Sequence, residues 1–406
     1  MRKYHLLCLL FCSVGWAQEN PGRQYEVTFS GLFLPVRGVV AATITVTQPG
    51  PVLRQLEFTA PEPEFGEFSG DGKIQRQGRL VTWKVPVKGG SLHYEVRVNH
   101  ERGGMLDARM TSDWAILRLD DLFPPAKVRS LVNSGSVSRL ELSGPKGWRF
   151  ESRYGPVEKT RRVEDPTRRF DRPTGWLAAG KLGIRRDLIA GRRVTIAAPQ
   201  NQGMRRLDIM AFIRWTLPTL TRAFANFPPR LLIVGGSKDM WRGGLSGPDS
   251  LYLHPDRPLI SENSTSTLLH ELMHMITGQA RVPKEDWIIE GLAEYYSLEI
   301  LRRSGGISSK RFDQAMQSLA AWAQKDDGRL VSPSAGANTA RAALVFNQIA
   351  LELKDGDAGS LDALIRKLLK SSAIDSEQLL LLTESALGST PNALRQSLDR
   401  YLVENP

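Results

Sequence analysis

The sequence predicts an α+β chain: an antiparallel β-domain first, a small mixed sheet carrying two site helices next, and a helical region last. Three observations point there. Between Tyr25 and Tyr154 short runs alternate apolar and polar residues with Pro and Gly turns between them, the period-two pattern of half-buried strands. Around His270 and Glu290 the apolar residues recur instead at every third or fourth position, the period of a helix. From Ser308 onward that helical period dominates. A chain of 406 residues has room for two or three such domains.

Residues 1–17 come first. Arg2 and Lys3 precede an apolar run from Leu6 to Trp16, and Gly15 and Ala17 supply small residues at the minus-three and minus-one positions of a cleavage site. That is a secretory signal peptide cut after Ala17. Its apolar run of about eleven residues is too short for the roughly twenty that a bilayer span requires, so the chain is expected to be exported, to periplasm or medium, with no transmembrane anchor. Both cysteines, Cys8 and Cys12, leave with it. The mature chain then has no disulfide and no thiol chemistry, which excludes cysteine-peptidase and redox functions.

The β-rich domain is placed at 18–157, with strands expected near 42–47, 80–85, 92–98 and 139–142. An Arg- and Pro-rich stretch at 158–173 reads as the crossing into a catalytic part at 158–305. There 193–198, 231–234 and 250–254 read as strands, with 204–225 helical between the first two. The strand 250–254 is the expected cleft edge, where an extended peptide could add as a further strand. Two helices follow, one over about 264–277 and one starting near Pro283. Ser261, Asn263 and Ser264 offer N-caps for the first, Gly278 its stop, and Arg281 and Pro283 the turn between the two. Residues 306–406 complete the chain as helices, including 340–353 and 361–369.

The chemistry is concentrated in those two helices. His270-Glu271-Leu272-Met273-His274 reads HExxH, and Glu290 follows sixteen residues after the second histidine. With 6 His in 406 residues, this pattern arises by chance roughly 0.01 times per chain of this composition. Histidines four apart share one helix face, so both ring nitrogens can meet one ion. Glu271 projects beside that ion as a general base. Glu290, on the following helix, completes a His2Glu ligand set for Zn2+ and leaves the fourth position open, the mark of a catalytic rather than structural site. Glu294 lies one turn on from Glu290 and is the candidate to hold the second ring nitrogen of a histidine ligand.

His270, Glu271, His274 and the segment from Glu290 to Tyr296 resemble the gluzincins, the zinc metallopeptidase clan of thermolysin and aminopeptidase N, and within it the glycyl aminopeptidase family. Trp83, Trp114-Ala115-Ile116-Leu117, Phe227-Pro228 and Gly243-Gly244-Leu245 are weaker echoes of that family. The resemblance implies a β-rich N-terminal domain, a thermolysin-like catalytic domain with the HExxH helix and a helical C-terminal part. It also implies a Gly-Gly segment lining the substrate cleft and a lean toward aminopeptidase activity. Two departures stand out. Ser246 occupies the place of a glutamate that binds the substrate amine in related enzymes, with Asp249 and Glu262 as replacements from nearby. Thr339 to Ala343 stand where the family carries a tyrosine that steadies the tetrahedral intermediate; Tyr295, Tyr296, His254 and Arg341 are the substitutes to consider, each expected to be a packing or surface residue.

The partner expected is a peptide or protein substrate. The net charge of +11 falls by two with Arg2 and Lys3, and the remaining basic pairs, such as Arg168-Arg169 and Arg302-Arg303, are scattered among acids as on a solvated face. No basic stripe on a recognition motif supports nucleic-acid binding. Endopeptidase action, hydrolysis of a non-peptide bond and a non-catalytic binding role are the alternatives. The last would be expected to have lost Glu271 or a ligand, and none is lost.

Overall fold

The computed structural model describes residues 23–164, 170–278, 285–325, 330, 333–371 and 373–388. The expected signal peptide, the Arg168-Arg169 pair and the turn residues Arg281 and Pro283 lie outside the described residues.

The first part is three sheets of short strands, and alternation produces them. In Gln24–Leu34, Tyr25, Val27, Phe29 and Phe33 are buried while their neighbours along the strand face outward. One six-stranded sheet runs in the order Thr160–Val163, Gly135–Ser143, Gln24–Leu34, Val39–Thr47, Gly89–Arg97 and Ser69–Gly70. Its pairing is antiparallel except between Gln24–Leu34 and Gly135–Ser143, which run parallel from Gln24 opposite Gly135. A parallel pair needs a long connection, and here the four-stranded sheet and half of the second six-stranded sheet are built from the intervening chain. Trp83, Phe58 and Phe123 fill the centre, with the Phe29 ring edge-on to Phe123 at 5.1 Å.

The boundary expected at 158 is displaced. Thr160–Val163 joins the first sheet, and Trp176–Gly180 lies between Trp114–Arg118 and Arg149–Ser152 in the second. Trp176-Leu177-Ala178-Ala179-Gly180 is buried at every position, and a run without alternation is what a strand covered on both faces looks like. The β-domain therefore continues to Gly180.

The next part is built on a five-stranded sheet in the order Leu182–Ile189, Arg192–Pro199, Arg230–Val234, Ser250–Leu253 and Gly244–Gly247. The three central strands are parallel, with helix Arg206–Ala223 crossing between the first two of them. The strand expected at the cleft edge, Ser250–Leu253, is thus internal, and Gly244–Gly247 holds the edge instead. Composition explains it: Ser-Leu-Tyr-Leu is buried throughout, whereas two of the four residues of Gly244–Gly247 are glycine and cover nothing. One apolar core runs from Ile189 on the sheet to Leu379, so the helices beyond 306 belong to the same core as the site helices. A smaller cluster, including Trp114, Trp176, Val234, Leu245 and Tyr252, joins the β-domain to the sheet. No described helix is long and apolar enough to cross a membrane.

Candidate metal centre

The first site helix is Thr267–Thr277, capped by Ser266, whose hydroxyl accepts from Leu269 N at 3.4 Å. The residues expected as caps shape the loop before it. Ser261 accepts from Thr265 N at 3.1 Å, and Ser264 sits at φ 67° and accepts from Arg311 Nε at 2.8 Å. Gly278, at φ 75°, ends the helix. Leu268, Leu269, Leu272, Met273 and Ile276 anchor it in the core, which leaves His270, Glu271 and His274 on the flank toward the second helix and the sheet edge.

The second site helix is Asp286–Arg303. Trp287, Ile288, Leu292 and Tyr296 are buried, and Gly291 lets helix Ala337–Asp355 approach so closely that a Cβ there would stand 2.7 Å from Ala342 Cβ. This packing fixes the rotation of the helix. Glu290 and Glu294, four apart, then lie one above the other beside the histidines.

Four side chains meet. His270 Nε2 and His274 Nε2 are 3.1 Å apart, Glu290 Oε2 is 3.4 Å from the first and Glu290 Oε1 3.5 Å from the second. Glu294 Oε2 lies 3.2 Å from His270 Nδ1, the nitrogen turned away from that cluster. Burial opposes charge on His270, but hydrogen bonds to Glu290 and Glu294 outweigh it and raise the imidazole to about 10. Burial likewise opposes charge on Glu290, and the two histidines overcome it, holding the carboxyl down to about 2. The site therefore favours a positive charge among its acids.

The donor set fits zinc. Ligands bound at about 2.0 to 2.1 Å in a tetrahedron stand a little over 3 Å apart, which is the spacing of these atoms, and His270, His274 and Glu290 are a candidate metal-holding group. Two nitrogens aimed at one another without a shared cation or proton would repel. The Nδ1 contact with Glu294 leaves His270 Nε2 available to an ion.

Glu271, 8% exposed, lies against the sheet edge. A Cβ on Gly244 would stand 2.7 Å from its Oε1 and 2.9 Å from its Cδ, so this position admits glycine alone without moving the carboxylate. Sequence reading placed Gly243-Gly244 at the cleft only through resemblance, because the contact lies 27 positions away and has no local signature. Register fixes what that edge offers. Gly243 O accepts from His254 N at 3.1 Å, so in the antiparallel ladder Gly243, Leu245 and Gly247 face the inner strand, while Gly244 and Ser246 turn their N–H and C=O outward.

The other residues weighed from sequence serve the scaffold. Tyr296 Oη donates to Asp362 at 2.8 Å, His254 Nε2 is 3.1 Å from Lys238 O, Arg341 donates to Ala323 O, and Tyr295 is buried. Asp249 is held by Arg153 through Nε at 3.2 Å and through Nη2.

By sequence, the chain matches no family model and no curated protein. By structure it is similar to an aminopeptidase N family protein from Idiomarina loihiensis, with a TM-score of 0.62 and 14% identity over 94% of this chain and 74% of that one. It is also similar to yeast LTA4 hydrolase in complex with bestatin, with a TM-score of 0.58 and 14% identity over 93% of this chain and 65% of that one. Native leukotriene A4 hydrolase from Saccharomyces cerevisiae gives a TM-score of 0.57 at 14% identity, over 93% and 66%. At such identity the likeness shows the fold, which this chain shares with these aminopeptidase N family and leukotriene A4 hydrolase structures.

Proposed function

We propose that the chain is an exported zinc metallopeptidase in which His270, His274 and Glu290 hold the ion and Glu271 is the general base. One observation carries this reading: two imidazole nitrogens and a carboxylate converge within 3.5 Å of one another beside a carboxylate that is no part of the cluster. Zinc held there would supply Lewis acidity, enough to acidify an attacking water toward a pKa of about 7 and polarise the scissile carbonyl. Glu271 takes the water's proton and later delivers it to the leaving amine. Glu294 fixes the tautomer and orientation of His270. The outward N–H and C=O groups of Gly244 and Ser246 receive the substrate backbone as an added strand, which aligns the scissile bond with Glu271. Residues 1–17 direct the chain out of the cytoplasm.

The lean is to aminopeptidase activity, which the structural neighbours support. Endopeptidase action is a second reading, and Ser246 favours it, since no carboxylate stands there for a substrate ammonium and Asp249 is occupied by Arg153. The test is hydrolysis of a peptide library by the zinc-loaded protein, each peptide offered with a free and with an acetylated N-terminus. Hydrolysis that stops on chelation and fails in Glu271→Gln supports the metallopeptidase; none by the zinc-loaded parent refutes it. Faster cleavage of the free-amine form supports aminopeptidase action, and faster cleavage of the acetylated form overturns it.

A further inference from the structure

A cation sits on the same sheet edge. Arg118 ends the strand Trp114–Arg118, directly opposite Trp176 in register, and its guanidinium lies over the indole at 4.9 Å from the ring centroid. Trp176 is itself fixed: its Nε1 donates to Leu245 O at 2.9 Å, beneath the edge strand. From that stack Arg118 Nη2 reaches the outward carbonyl of Ser246 at 3.5 Å, a contact at the limit of a hydrogen bond. Among the described residues no carboxylate forms an ion pair with Arg118. Asp120 is engaged by Arg172 at 3.1 Å and by Gly175 N at 2.7 Å. Burial raises the Asp121 carboxyl to about 6 despite the opposing charge of Arg118.

Position makes this cation matter. Ser246 is two residues along the strand from Gly244, roughly 7 Å at the rise of a β-strand, and Gly244 abuts Glu271. A peptide added to this edge would pass the guanidinium about two residues from the general base. The aromatic face holds the planar group in place, and its N–H fork remains suited to a carboxylate, which it can grip in two parallel hydrogen bonds. The weak contact with Ser246 O is cheaply exchanged for such a pair. The same charge disfavours an ammonium at that place.

The geometry points to Arg118 as a specificity residue that reads a substrate carboxylate, from an acidic side chain or a free C-terminus, beside the Gly244–Gly247 edge. This rests on the metallopeptidase reading above. The test uses zinc-loaded Glu271→Gln protein, so that peptide binding is measured without turnover. Peptide pairs differing as Glu against Gln at each successive position, and as free against amidated C-terminus, are titrated by calorimetry. One member carrying the carboxylate is expected to bind about tenfold more tightly than its neutral twin, the effect of a charged hydrogen bond. Adding Arg118→Gln should abolish that ratio and Arg118→Lys should keep part of it, with zinc content and melting temperature confirming that both variants are folded. Discrimination at one internal position assigns the side chain; discrimination only by amidation assigns the terminus. Ratios near one at every position, no binding of any peptide, or full discrimination in Arg118→Gln would each overturn the inference. Failure of the metallopeptidase reading shows separately, as no hydrolysis of neutral peptides by protein that retains Glu271.

Discussion

At Gly244 the smallest possible side chain would displace Glu271, the proposed base. An added Cβ meets Glu271 Oε1 at 2.7 Å and Cδ at 2.9 Å, and the nearest atoms it meets belong to Glu271, none to His270, His274 or Glu290. Gly244→Ala is therefore expected to retain zinc and melting temperature but lose about a hundredfold in kcat/KM, the effect of misplacing a reacting group by about 1 Å. Kinetics beside zinc content check this, and a parental rate would contradict it. Glu294→Ala removes the partner 3.2 Å from His270 Nδ1 and should weaken zinc binding by about 10- to 100-fold, read by competition with a chelator. An unchanged affinity would make Glu294 a mere neighbour. That His270 and His274 share a helix flank was legible in the sequence because four-residue spacing on a helix is local geometry, and Glu290 comes to them from the next helix, sixteen residues on. Gly244 was placed at the cleft by resemblance alone and Arg118 not at all, because each meets its neighbours through a contact made only when distant strands assemble.

Between elements, the crossing of Asp286–Arg303 and Ala337–Asp355 sets the rotation that brings Glu290 to the histidines. Gly291→Ala would push a methyl to 2.7 Å from Ala342 Cβ and 2.8 Å from its backbone carbonyl carbon. Overpacking of this kind costs about 1–3 kcal/mol. The variant should melt several degrees lower, since about 1 kcal/mol shifts the midpoint by 2–4 °C in a large domain, and should bind zinc more weakly. A calorimetric scan matching the parent would show that the crossing yields without strain. Strands and helices at this scale followed from periodicity, as in Arg192–Pro199, Arg230–Val234 and Arg206–Ala223. Three things did not. The Ser266 cap, the parallel pairing of Gln24–Leu34 with Gly135–Ser143 and the internal place of Ser250–Leu253 depend on which partner each segment finds, and propensity carries no record of partners.

Across the whole molecule, the β-domain is joined to the five-stranded sheet by the cluster around Trp114, Trp176 and Tyr252, and the C-terminal helices share the core of the two site helices. The order of β-sheets first and helices last was legible from pattern, but the extension of the second sheet to Gly180 was not, since the Trp176–Gly180 strand lies beyond the Arg- and Pro-rich stretch that reads as a linker. Export predicts that mature protein begins at Gln18 and carries no cysteine. Its N-terminal sequence should start there and its melting temperature should be the same with and without reductant; retention of residues 1–17 in secreted material would contradict cleavage after Ala17. The most direct measurement of the central claim is elemental analysis of the parent, Glu271→Gln and His274→Ala proteins purified side by side. About one zinc per chain is expected in the first two and little in the third. Full zinc in His274→Ala, or none in the parent, would contradict it.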